Sequence, residues 1–122
     1  MAKGRNIMVK PAVAPSWEVT PEKVEKAVQR IVETSRPAKI ILFGSYVKGT
    51  IGSNSDLDIL VIASGNIADS RRESVRIRRA LRGISMPMDI LVVSQPQWEQ
   101  LKDAPGLIYR EAATNGKVVY ER

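Results

Sequence analysis

Three short aliphatic runs constrain the fold more than any other feature. Lys39 to Phe43, Leu57 to Ala63 and Met88 to Val93 are built mainly of Ile, Leu and Val and are too short for ordinary helices. Continuous rather than alternating apolar strands must be covered on both faces. The segments around them have the period that can supply the cover. Val24, Val28, Ile31 and Ser35 fall on one helical face, with Ala27 and Val32 beside them, and Ile77, Ala80 and Leu81, followed by Ile84, point a second helix at the core. Strands alternating with amphipathic helices imply an α/β domain, two or three layers deep, around a small sheet.

Local signals set the boundaries. Thr20-Pro21-Glu22 is a helix start: a capping hydroxyl, proline at the first helical position and an acid in the first turn. That helix should end near Arg36, before Pro37, and a second should run from Asp69 to Arg82. Ser94 and Gln97 fit a capping box opening a helix at Gln95. Pro105-Gly106 separates it from a last helix through Asn115, which Gly116 should cap, and Lys117 to Tyr120 should add an edge strand. Residues 1–16, with Lys3, Arg5, Lys10, Pro11 and Pro15, read as an extended basic arm. Trp17 then docks it onto a single domain, residues 17–122.

The 122 residues include no cysteine and no histidine. Disulfides, thiol nucleophiles, thiolate or imidazole metal sites and the usual general base are therefore excluded. Catalysis must use carboxylates, hydroxyls, amines or an oxygen-bound metal. The net charge of +6 suggests an anionic partner. No apolar run approaches the roughly 20 residues that span a bilayer, so no membrane association and a cytoplasmic location are expected.

Asp56 and Asp58 stand two apart at the start of an aliphatic strand, on one face. Two carboxylates together there are costly unless a cation or protons neutralise them. Asp89, second in the next strand, becomes a third ligand if the two strands are neighbours. An all-oxygen set suits Mg²⁺, or Mn²⁺, rather than zinc, and leaves room for substrate phosphates. Two such ions about 4 Å apart would support in-line phosphoryl transfer. Gly44-Ser45, directly after the first strand, offers a phosphate cradle of backbone N–H groups and a hydroxyl, with Lys48 placed to add an ammonium.

Gly44-Ser45, ten intervening residues and Asp56-Leu57-Asp58 resemble the GSx10DxD signature of the DNA polymerase β-like nucleotidyltransferase superfamily, with Asp89 at its third catalytic carboxylate. The resemblance spans roughly Thr20 to Tyr120 and is nearest the minimal nucleotidyltransferases of prokaryotes. It implies a nucleotidyltransferase fold, a small mixed sheet with flanking helices. It further implies Mg²⁺ on Asp56, Asp58 and Asp89, nucleotide contacts from Gly44, Ser45 and Lys48, and ATP as substrate. Many such proteins are paired with a HEPN-domain toxin, which the antitoxin silences by transferring AMP to a tyrosine. The sequence departs from the family after Gly-Ser, where Tyr46 and Lys48 replace the arginines often found there. Lys48 keeps a charge without a guanidinium fork.

Two other classes stay open: an antitoxin that binds and blocks its partner without catalysis, and a small-molecule nucleotidyltransferase completed by a homo-oligomer or a second subunit. Because the motif-bearing core uses most of the chain, the acceptor is expected on a docking protein, with nucleic acid disfavoured as a direct substrate. Arg71, Arg78 and Arg82, with Arg72, Arg76 and Arg79 beside them, form a basic helical face that reads either as solvated surface or as a dock, with Val75 an apolar spot within it.

Overall fold

The computed structural model describes residues 18–48, 56–65, 67 and 69–122, without the side chains of Ser45 and Lys48. The expected basic arm and most of the turn between Gly44 and Asp56 lie outside the described residues.

Helix α1 (Pro21–Ser35) starts as its sequence dictates: Thr20 Oγ1 accepts from the Lys23 N–H at 3.2 Å and Pro21 occupies the first turn. Its end is abrupt, because Arg36 takes a left-handed conformation and donates its N–H to the Val32 carbonyl. Strand β1 (Lys39–Phe43) follows, then a single helical turn, α2 (Ser45–Lys48), strand β2 (Leu57–Ala63) and helix α3 (Ser70–Ala80). Asp69 caps α3 by accepting from the N–H groups of Arg71 and Arg72. The expected helix of Asp69 to Arg82 is therefore trimmed at both ends, with Asp69 as cap and Leu81 to Gly83 in a turn. Strand β3 (Met88–Ser94) runs into α4 (Gln95–Leu101) through the expected Ser94–Gln97 capping box. Helix α5 (Ile108–Asn115) and strand β4 (Lys117–Glu121) complete the fold.

The sheet order is β3-β2-β1-β4. β1 is antiparallel to β2 and β4, whereas β2 and β3 are parallel, with α3 forming the crossover that a parallel pair requires. Alternate residues separate two cores. Ile40, Leu42, Leu57, Ile59, Val61, Ile90 and Val92 pack with α1 and α3 on one face. Ile41, Phe43, Leu60, Ile62 and Val93 pack with Trp98 of α4 and Ala112 of α5 on the other. The domain is thus three layers deep, helices over both faces of a mixed sheet.

α1 and α3 are tied by a polar link as well as by packing. Ser35 Oγ donates to Glu73 at 2.9 Å, Arg76 donates to both oxygens of the same carboxylate, and Arg76 also reaches the Thr34 carbonyl. The Glu73 carboxyl is held below its ordinary value, first by the hydrogen bond from Arg76.

Gly116 does end α5, but in extended backbone (φ −76°, ψ 164°) rather than the left-handed conformation of a typical glycine cap. Its glycine requirement is steric: a Cβ there would collide with the Ala112 carbonyl oxygen and press on the Ile41 side chain. Gly116→Ala is expected to cost about 1–3 kcal/mol through overpacking between backbone and core, read as a lower urea midpoint with unchanged m-value.

Candidate active site

The site is built by register. Asp58 is the direct partner of Asp89 across the parallel β2–β3 pair and of Phe43 across the antiparallel β1–β2 pair. Neighbouring strands lie about 4.8 Å apart and in-register residues share a face, so Asp58 and Asp89 leave the sheet on the same face from adjacent positions. Asp58 alternates with Leu60 and Ile62, which places it on the face covered by α4 and α5. It sits at the strand end opposite the one from which α4 departs. Asp56 lies just before β2 and is exposed.

Gly44 follows Phe43 with φ +87°. A Cβ at this position would fall on the Asp58 carboxylate oxygen and within 3.0 Å of its Cγ. The glycine expected to admit a substrate therefore first admits Asp58, whose carboxylate rests against the bare backbone. Ser45 and Lys48 belong to α2, but their side chains lie outside the described residues, and so do the contacts expected of them.

The electrostatics are those of crowded acids. The Asp58 carboxyl is pushed above its ordinary value, first by burial and then by the negative charges of Asp89 and Asp56. Asp89 is turned outwards: its side chain is 69% exposed and its Oδ1 lies 4.0 Å from an Arg78 guanidinium nitrogen. Among the described residues no three acidic side chains stand together as a ready metal-holding group. The donor chemistry nonetheless fits a hard divalent cation, since a positive charge beside Asp58 would offset both the burial and the repulsion that disfavour its charged form. Asp89 would have to swing inward from Arg78. That exposed pair is a weak restraint, worth about 0–1 kcal/mol.

Sequence reading missed Arg78 as a neighbour of the site. β3 is an edge strand and α3 packs against it, so a residue counted on the basic face comes round the sheet edge to Asp89. A concavity of about 940 Å³ lies elsewhere. It runs between α1 and the β1–β4 edge, lined by Val24, Val28, Leu42, Tyr46 and Val119 among others, on the face opposite the carboxylates. Size alone would misplace the chemistry.

A sequence profile described as Polymerase beta, Nucleotidyltransferase matches residues 25–122. The chain belongs to this nucleotidyltransferase family. The matched stretch takes in β1 to β4 and all three aspartates. A comparison with curated proteins finds no match. Among solved structures, this nucleotidyltransferase domain is similar to a candidate nucleotidyltransferase from Sulfolobus solfataricus (TM-score 0.59, 16% identity, 83% of this chain and 79% of that one). It is also similar to a toxin–antitoxin structure with AMP-PNP (TM-score 0.50, 24% identity, 80% and 73%). A third similar structure is a mutant of the toxin–antitoxin pair MntA–HpeT (TM-score 0.50, 20% identity, 86% and 75%). At these identities the likeness is one of fold. No helix among the described residues is long and apolar enough to cross a membrane.

Proposed function

We propose that this nucleotidyltransferase transfers AMP from ATP to a hydroxyl, a tyrosine hydroxyl by preference, of a partner protein, as the antitoxin of a HEPN-type toxin–antitoxin pair. The observation that carries the reading is the in-register Asp58–Asp89 pair with Gly44 laid against the Asp58 carboxylate. The toxin–antitoxin structures of similar fold support the biological setting, one of them holding an ATP analogue.

In this reading Asp56, Asp58 and Asp89 hold Mg²⁺, or Mn²⁺ in its place. A cation held there would supply positive charge to the triphosphate and to the leaving pyrophosphate. Gly44, Ser45 and Lys48 receive the triphosphate, where the glycine leaves room for close backbone approach. Asp89, exposed on the rim, accepts the proton of the acceptor hydroxyl at its carboxylate. The hydroxyl oxygen then bonds the α-phosphorus, the bond from that phosphorus to the bridging oxygen breaks, and pyrophosphate leaves with the electron pair. Among the described residues at the carboxylate end of the sheet, Asp56 and Asp89 are both exposed. An exposed rim suits an acceptor carried on a protein surface better than a small molecule needing enclosure.

Incubating the co-expressed toxin partner with the protein, ATP and Mg²⁺, followed by intact-mass spectrometry, tests the proposal. An AMP adduct on the partner that is lost with Asp56→Asn is expected. Tight binding without an adduct would turn the reading to a blocking antitoxin, and no binding would turn it to a small-molecule acceptor.

A further inference from the structure

We propose that the arginine stripe of α3 is a docking surface for an acidic face of the acceptor protein, set so that the docked partner meets the carboxylate end of the sheet. The proposal rests on the acceptor being a protein, as argued above. At about 100° per residue, Arg78, Arg71, Val75, Arg79 and Arg72 fall in that order within roughly 120° of the helix circumference. Buried Ile77 and Leu81 lie on the opposite side.

The fold gains little from this arrangement. Arg76 is occupied by Glu73 and Thr34. The side chains of Arg71, Arg72 and Arg79 meet no carboxylate among the described residues. Arg78 and Arg79, in the last turn, are favoured by the helix dipole, but Arg71 and Arg72 stand in the first turn, where a cation is disfavoured. Arg72 and Arg76 are also like charges at i,i+4. Arg71, Arg72 and Arg79, which no carboxylate among the described residues neutralises, are suited to anions from outside.

Val75 marks the occupant as protein. It is 44% exposed in the middle of the stripe and lines a shallow concavity of about 530 Å³ with Arg71, Arg72, Arg76, Arg79 and one acid, Asp69, whose carboxylate is engaged by the N–H groups of Arg71 and Arg72. An apolar spot ringed by arginines has the make-up of a small protein interface, an apolar centre with a charged rim. Single-stranded nucleic acid is usually held by aromatic stacking as well as charge, and α3 carries no aromatic residue. The position of the stripe links it to the chemistry, because Arg78 at its edge is the residue 4.0 Å from Asp89. Long-range attraction along α3 would deliver the acceptor beside that carboxylate.

The test uses the full chain and three fluorescent probes: a tyrosine peptide flanked by glutamates, its glutamine-flanked analogue and a single-stranded oligoadenylate. Binding is followed by anisotropy at low and moderate salt without ATP. The acidic peptide should bind best, and the Arg71→Glu/Arg72→Glu double variant should weaken it at least about tenfold with a flatter salt dependence. Acids in the first turn of α3 favour the helix, so the variant should keep the wild-type Tm. Equal binding of acidic and neutral peptides, equal affinity of variant and wild type, or preference for the oligonucleotide would overturn the docking surface. Adding ATP and Mg²⁺ separates the two ideas. A bound acidic peptide that gains no AMP leaves the dock standing and counts against protein adenylylation. An adduct formed equally by both proteins keeps the transfer and removes the dock.

Discussion

Asp58→Asn is expected to produce a folded protein that is slightly more stable than the wild type in metal-free buffer and has lost nucleotide transfer. Both effects have one cause. The Asp58 carboxylate is partly buried, faces Asp89 across a strand pair and feels Asp56, so its charged form is disfavoured in the fold. Between the ordinary carboxylate value near 3.8 and the raised value, the folded state binds more protons than the unfolded one. Metal-free stability should therefore fall as pH rises through that window, and above it the full penalty applies. An uncharged, nearly isosteric amide removes the penalty. Because Asp58 is only partly buried, the gain is discounted to about 0.5–1 kcal/mol, roughly 2–4 °C in Tm. Saturating Mg²⁺ should reverse the ranking by stabilising the wild type but not the variant. Transfer should fall by at least about 10³-fold, equivalent to roughly 4 kcal/mol of lost transition-state stabilisation. Thermal melts across pH, with chelator and with Mg²⁺, check the first part and adduct formation the second. A variant less stable than the wild type in chelator would refute the penalty assigned to burial and repulsion at Asp58.

The features legible in the sequence were those settled within a few residues. Thr20 and Ser94 announce helix starts because a cap needs only its own hydroxyl and the next turn's N–H groups. The three aliphatic runs announce strands because no other element buries both sides so briefly. The role of Asp89 was conditional on β3 lying beside β2, and strand order is a long-range property that residue patterns do not encode. The structure meets the condition, with Asp58 opposite Asp89. Arg78 was invisible as a site neighbour because its contact depends on β3 being the edge strand under α3. Gly116 was expected to cap α5 and does so, but in extended backbone, and its need for glycine comes from the Ala112 carbonyl and from Ile41, a residue far away in the chain. Gly44 was read as an opening toward substrate, and only the β1–β2 register brings Asp58 against it.

Gly44→Ala should cripple the site more than its size suggests, because two independent costs meet at one methyl group. The backbone has φ +87°, which a residue with a Cβ adopts only at about 1–2 kcal/mol. The new Cβ would also occupy the place of the Asp58 carboxylate, which has no long stem with which to move aside. The strain lowers stability, while the displacement lowers activity. Moving a catalytic group by about 1 Å can cost roughly 10²-fold in rate, and at least that loss is expected in AMP transfer. Gly106→Ala supplies the control. Gly106 has φ +77° and nothing within 4 Å of a built Cβ, and it lies between α4 and α5, away from the carboxylates. It should lose a similar stability, about 1–2 kcal/mol, and keep near-wild-type transfer and Mg²⁺ response. If the two variants lost activity equally, generic backbone strain would account for Gly44, and the close approach to Asp58 would have no catalytic meaning. If Gly44→Ala alone lost both transfer and Mg²⁺-dependent stabilisation, the bare backbone after β1 would be part of the site because it gives the Asp58 carboxylate a place to stand.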